Sequence, residues 1–120
     1  MIYIGTDIVS ISRISRIISY KGHRFLNHVF TKTEQTLCEA KISPAIHYGG
    51  KFAAKEAVKK AIISSKVMKE IPVNCIEILN EIDGAPIVKL MDQTIETLNL
   101  QVSISHTDKY AIATALLELL

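Results

Sequence analysis

One segment, Gly50-Lys51-Phe52-Ala53-Ala54-Lys55-Glu56-Ala57-Val58-Lys59-Lys60-Ala61-Ile62, constrains the fold more than any other. Ala53, Ala57 and Ala61 recur at i, i+4 and i+8, so on a helix they form a single stripe of small side chains. Such a stripe lets another backbone, or a ligand, approach the helix closely. Ser43-Pro44 supplies an N-cap with proline at the first helical position, and the pattern predicts a long helix from there to about Ile63. Gly49-Gly50 weaken its first turns by about 1 kcal/mol each relative to alanine.

β-rich segments lie on either side of this helix. Ile2 to Val9 reads as a short strand with Gly5 at a close backbone approach or bulge and Asp7 near its end. Ser10 or Ser12 can cap a helix whose Ile11, Ile14 and Ile18 share a core face, with Arg13, Arg16 and Tyr20 elsewhere and Gly22 closing it. Thr31-Lys32-Thr33-Glu34 is a capping box that opens a short helix to about Lys41. Beyond Pro72, Val73–Asn80 and Pro86–Leu90 read as strands joined around Asp83-Gly84. A short helix is expected over Asp92–Leu98, then a strand pair, Gln101–His106 and Tyr110 to about Leu119. Strands outside and helices in a block between predict an α+β fold, antiparallel strands packed on a long central helix.

At 120 residues the chain is expected to be a single domain, 1–120. The longest stretch free of Asp, Glu, Lys and Arg is the eleven residues Thr97–Thr107, too short for the roughly 18 to 20 apolar residues of a membrane span. The N-terminus has no basic region and an acid at position 7, so no secretory signal is expected and the location is read as cytoplasmic. Cys38 and Cys75 fit neither a disulfide framework nor a zinc site and are read as buried hydrophobes. Nineteen isoleucines and a mean hydropathy of +0.25 are high for so small a domain, which points to a homo-oligomeric interface. The net charge of +2 hides an asymmetry: Ile8 to Thr33 holds five bases (Arg13, Arg16, Lys21, Arg24, Lys32) and no acid. This is either a solvated helix face or a docking surface for an anionic partner.

Three places could carry chemistry. Glu56 and Lys60 lie one turn apart, either as a surface ion pair or with Glu56 on a divalent metal and Lys60 on a phosphate. Asp7, in an apolar strand, is either solvent-facing or held by a cation. In Ser103-Ile104-Ser105-His106-Thr107, Val102 and Ile104 alternate with the two serines, and His106 at the strand end is either hydrogen-bonded structure or a functional group. P-loop, Rossmann, nucleophile-elbow and zincin motifs are all missing.

Taken in order, Gly5-Thr6-Asp7-Ile8-Val9 with Arg13-Ile14, Phe30-Thr31-Lys32-Thr33-Glu34, Phe52-Ala53-Ala54-Lys55-Glu56-Ala57 with Lys60-Ala61, Gly84-Ala85-Pro86, and Ser103-Ile104-Ser105-His106-Thr107 with Tyr110-Ala111 closely resemble the holo-acyl-carrier-protein synthases, the short 4'-phosphopantetheinyl transferases. The resemblance covers nearly the whole chain. It implies Mg²⁺-dependent transfer of phosphopantetheine from coenzyme A to a serine of acyl carrier protein, releasing adenosine 3',5'-bisphosphate, in fatty acid biosynthesis. It also implies a homotrimer with sites between subunits. Asp7 and Glu56 would hold Mg²⁺ and Lys60 would contact phosphate. Lys51, Ser105, His106 and Thr107 would bind coenzyme A, with His106 and Thr107 by the 3'-phosphate and adenine. The catalytic set is then Asp7, Glu56 and Lys60. The base for the serine proton is either Glu56, through a water, or a carboxylate directly. Arg13, Arg16, Lys21 and Arg24, on the basic N-terminal helix, would meet the acidic helix of the carrier.

The chain departs from the family pattern in three places. Ile42-Ser43-Pro44-Ala45 stands where members carry bases before the long helix, leaving Lys41 nearest. Lys51 replaces an arginine, keeping charge but losing bidentate geometry. Ile62-Ile63-Ser64-Ser65 replaces glycines. The phosphate-contact departures motivate a competing reading, a coenzyme A-binding module that no longer transfers, against which Asp7, Glu56 and Lys60 argue. A nucleic-acid-binding domain is disfavoured by a net charge of only +2 and 6% aromatic residues.

Overall fold

The computed structural model describes residues 1–91 and 98–120. Its elements run β1 (Ile2–Ser10), α1 (Ile11–Lys21), α2 (His23–Val29), α3 (Lys32–Glu39), α4 (Pro44–Ser65), a 3-10 turn (Val73–Cys75), β2 (Ile76–Asn80), β3 (Pro86–Leu90), β4 (Asn99–His106) and β5 (Tyr110–Glu118). The expected α+β architecture is present. The helix expected over Asp92–Leu98 falls largely outside the described residues.

Helix α4 is the axis of the molecule. Against one side lies an antiparallel sheet in the order β1-β5-β4, with Gly5 opposite Ala115 and Ile104 opposite Ala113. The β2-β3 hairpin forms a second sheet. The alanine stripe does what its spacing predicts, since Ala53, Ala57 and Ala61 are fully buried. A Cβ placed on Gly5 would stand 1.9 Å from the carbonyl oxygen of Ala57, so strand and helix backbones are in direct contact and only glycine fits. On β5, Ala111, Ala113 and Ala115 continue the small-residue contact, while Leu117, Ile62, Ile71, Ile76 and Ile78 fill the space on either side. Val102 and Ile104 pack on this core and Ser103 and Ser105 point away, as alternation requires. A second core gathers Ile14, Leu26, Val29, Phe30, Cys38 and Tyr48 under α1 to α3.

Most local signals act as read. The Ser10 side chain accepts from the Arg13 amide and caps α1, and both halves of the Thr31–Glu34 capping box form. Asp83-Gly84 turns the hairpin with Gly84 at φ 92°. Four points differ. Residues 23–29, left without an element by the sequence, form α2, which starts directly after Gly22 (φ 57°) with no side-chain cap. Val73–Cys75 is a 3-10 turn after Pro72 and the strand begins only at Ile76. Ser43 makes no side-chain cap bond to α4. Arg24 stands on α2, across the Gly22 bend from Arg13, Arg16 and Lys21 on α1.

Candidate active site

Polar groups collect on two sides of α4. On the β1 side, Asp7 shares the strand face of Gly5, two residues away, and the close approach at Gly5 brings its carboxylate to the helix. The Lys60 ammonium donates to Asp7 Oδ1 at 3.1 Å and to the Thr6 carbonyl at 2.9 Å. The cation that holds Asp7 is therefore Lys60, and the ion pair of Lys60 is with Asp7 rather than with Glu56. The Lys60 side chain is 54% exposed, so the pair contributes no more than about 1 kcal/mol and exchanges readily for other ligands. Glu56 is half-buried one turn earlier on α4. Among the described residues no group of three or more His, Cys, Asp or Glu side chains could enclose a metal. Asp7, held at Lys60, and Glu56, one turn before Lys60, are hard oxygen donors of the type Mg²⁺ takes, and that ion keeps several waters when bound.

On another side lies a cleft of about 450 Å³, walled by α4, the β2-β3 turn and the end of β4. Lys41, His47, Lys51 and His106 line it, with Glu81 the one carboxylate among the described residues and Gly50, Gly84 and Pro86 between them. Lys51 is buried, and its ammonium donates to the Ile78 carbonyl at 2.7 Å and to Asn80 Oδ1 at 3.2 Å. Burial lowers its pKa, and Cys38 and Glu34 partly restore it. Lys51 and His106 are thus brought together as the sequence expects. Ser105 faces out from the sheet, and the Thr107 hydroxyl accepts from the Lys109 and Tyr110 amides, so both stand beside the cleft rather than in it. Lys51 and Lys60 are nine residues apart on α4, about 14 Å and half a turn, which sets the two polar groups on opposite faces of the helix.

Behind the cleft is a network of which local spacing reveals only the capping box. Lys55 and Glu34 are fully buried and paired at 2.6 Å. Lys55 also donates to the carbonyls of Val73 (3.1 Å) and Ile76 (2.5 Å), and its ammonium lies 5.6 Å from the Phe30 ring centre. Glu34 accepts from the amides of Thr31 at 2.8 Å and Ile78 at 2.7 Å. Every donor of the ammonium is used, which is the condition for keeping a charge in a dry interior. Burial depresses the Lys55 pKa, with Glu34 opposing the shift. The pair ties α3, α4 and β2 together and so fixes the hairpin that forms one cleft wall. A lysine directly after Ala53-Ala54, next to the small-residue stripe of α4, was the available signal.

On the outer surface Arg13, Arg16 and Lys21 line a shallow concavity of about 650 Å³ with Tyr20, which is 89% exposed. No helix among the described residues is long and apolar enough to cross a membrane.

Known proteins match this chain along its length. It is 45% identical over 115 residues to the holo-[acyl-carrier-protein] synthase of Protochlamydia amoebophila, covering 93% of each chain. It is 42% identical over 120 residues to that of Chlorobium phaeovibrioides, covering 96% and 93%. Among solved structures, the Helicobacter pylori holo-[acyl-carrier-protein] synthase in complex with coenzyme A superposes with a TM-score of 0.82 at 32% identity, over 96% of this chain and 99% of that one. The coenzyme A complex of the Chronobacterium ammoniagenes enzyme gives 0.84 at 27%, over 98% and 96%. With the 4'-phosphopantetheinyl transferase superfamily profile matching residues 3–115 as well, the chain belongs to that superfamily, among its holo-[acyl-carrier-protein] synthases.

Proposed function

We propose that this chain transfers the 4'-phosphopantetheine arm of coenzyme A to a serine of apo-acyl carrier protein, with Mg²⁺, releasing adenosine 3',5'-bisphosphate, in fatty acid biosynthesis. The observation that carries the reading is the joining of Asp7 to α4 at Lys60, one turn from Glu56. Charged groups from two distant parts of the chain, β1 and α4, are thereby gathered at one side of the helix. In the transfer the serine oxygen bonds to the phosphorus that carries the pantetheine arm, and the bond from that phosphorus to the bridging oxygen breaks. Charge on the departing phosphate must be neutralised and the attacking oxygen placed in line. Asp7 and Glu56 would hold Mg²⁺, which when bound supplies that neutralisation. Lys60, half exposed and held by the Thr6 carbonyl and a weak pair with Asp7, keeps a third donor for a phosphate oxygen. The serine proton passes to a carboxylate, directly or through a water, and Glu56 is the candidate.

The cationic cleft suits the other end of the donor, with Lys51 and His106 on the nucleotide phosphate and Ser105 and Thr107 beside them. Because the cleft and the carboxylates occupy opposite faces of one α4, a donor bridging the cleft of one copy and the carboxylates of the next accounts for both, which favours a homotrimer with shared sites. Arg13, Arg16 and Lys21 on α1, with Arg24 on α2, offer the acidic carrier helix a complementary surface. Arg13→Glu should raise the carrier KM and flatten its salt dependence while leaving the coenzyme A KM in place. A changed coenzyme A KM with an unchanged carrier KM would move this surface to the nucleotide site. Mass spectrometry of an apo-carrier protein incubated with the chain, Mg²⁺ and coenzyme A tests the whole reading. The expected result is a carrier heavier by one phosphopantetheine, and an unmodified carrier would overturn it.

A further inference from the structure

His47 enters the donor cleft from the first turns of α4, one turn before Lys51 on the same helix face, in a chain whose upstream segment Ile42-Ser43-Pro44 carries no base. We propose that His47 is a phosphate-binding residue of this cleft, taking up a proton from solvent as the terminal phosphomonoester of the nucleotide donor arrives. This rests on the reading of the cleft as the nucleotide end of the site.

The titratable groups that line the cleft with His47 come from each element around it. Lys41 stands on the connection before α4, Lys51 on α4, His106 at the end of β4, and Glu81 on the β2-β3 turn. Three of these four are bases, and one of them, Lys51, already spends two donors on Ile78 and Asn80. A dianionic phosphate entering the cleft meets the one remaining Lys51 donor and draws its others from Lys41, His106 and His47. In the free protein, burial and then Lys41, His106 and Lys51 hold the His47 pKa below the ordinary histidine value, so the ring is mainly neutral at pH 7. A phosphate dianion at the centre of the same cations reverses the field at the imidazole and favours the protonated ring. The convergence that keeps His47 uncharged when alone makes it a donor when the anion is present.

Calorimetry of coenzyme A binding to the full chain, with Mg²⁺ present and carrier protein absent, tests this at pH 7 in two buffers of different ionisation enthalpy. The wild-type chain should take up more protons on binding than His47→Gln, and the variant should bind about tenfold more weakly at pH 6, the loss of one charge-assisted hydrogen bond. His47→Arg should restore affinity without restoring the uptake. With 3'-dephospho-coenzyme A the difference between wild type and His47→Gln should vanish, because the phosphate that the ring meets is missing. Equal uptake and equal affinity in wild type and His47→Gln would overturn the proposal while leaving the donor cleft intact. So would a difference that persists with the dephospho form. If neither donor bound the wild-type chain, the reading of the cleft itself would fall, and the role of His47 with it.

Discussion

Asp7 and Glu56 come from a strand and a helix 49 positions apart, yet each supplies a carboxylate to the same neighbourhood of α4. Asp7→Asn and Glu56→Gln keep shape and remove charge, so each should lower kcat roughly a hundredfold to a thousandfold with the thermal unfolding midpoint nearly unchanged. Near-normal turnover of either variant at limiting Mg²⁺ would refute the metal assignment. Cys38 poses a different question. Burial raises its thiol pKa to about 12, with nearby Lys51 pulling the other way. Because the folded value lies above the unfolded one, the stabilisation is fully present below about pH 8.5 and is lost as pH rises through 12. Urea midpoints measured across that range should fall less steeply for Cys38→Ala than for wild type, and parallel curves would show that another group governs the alkaline limb.

Between elements, the closest contact is that of β1 with α4, and its tolerance can be measured at single glycines. A methyl at Gly5 would meet backbone atoms, Ala57 O at 1.9 Å and Ala61 N at 2.8 Å, neither of which can turn aside. Gly5→Ala should therefore push β1 off the helix, destabilise the protein by about 3 kcal/mol or more and displace Asp7 from Lys60. Gly49→Ala is the control. Its nearest neighbours, Ile11 at 3.4 Å and Val9 at 3.7 Å, are side chains at ordinary contact distance, and alanine gains about 1 kcal/mol in helix propensity. Its melting temperature should equal or exceed that of wild type. If Gly5→Ala melted like wild type, the strand and helix would not be in backbone contact.

For the molecule as a whole, the apolar outer face of the β1-β5-β4 sheet has the most to say. Ile4, Ile8 and Ile112 are exposed there, opposite the face that covers α4. Covering them in a homotrimer would account for the isoleucine excess and bring one copy's donor cleft toward another's carboxylates. Ile4→Glu should then yield a folded species near 13.3 kDa by light scattering with transfer lost, whereas wild type should run at three times that mass. An active, stable wild-type monomer would remove the shared-site reading.

The sequence by itself determined whatever depends on residues within about a turn of one another. The alanine stripe needs only the period of the helix, the Thr31–Glu34 box only a spacing of three, and the Asp83-Gly84 turn only a residue at ease with positive φ. Val102 and Ile104 declared the inner face of β4 by alternation alone. Asp7, Glu56, Lys60, Lys51 and His106 are singled out by the family resemblance; the structure joins Asp7 to Lys60 and puts Lys51 and His106 in one cleft. Helix α2 escaped because Gly22 both ends α1 and starts the next helix without a capping side chain. Tertiary structure alone decided the partners: Lys60 to Asp7, 53 positions away, Lys55 to Glu34 and β2, and His47 and His106 to one cleft. Those pairings follow from how strands and hairpin pass across α4, and no local spacing encodes which side of a helix a distant strand will cross.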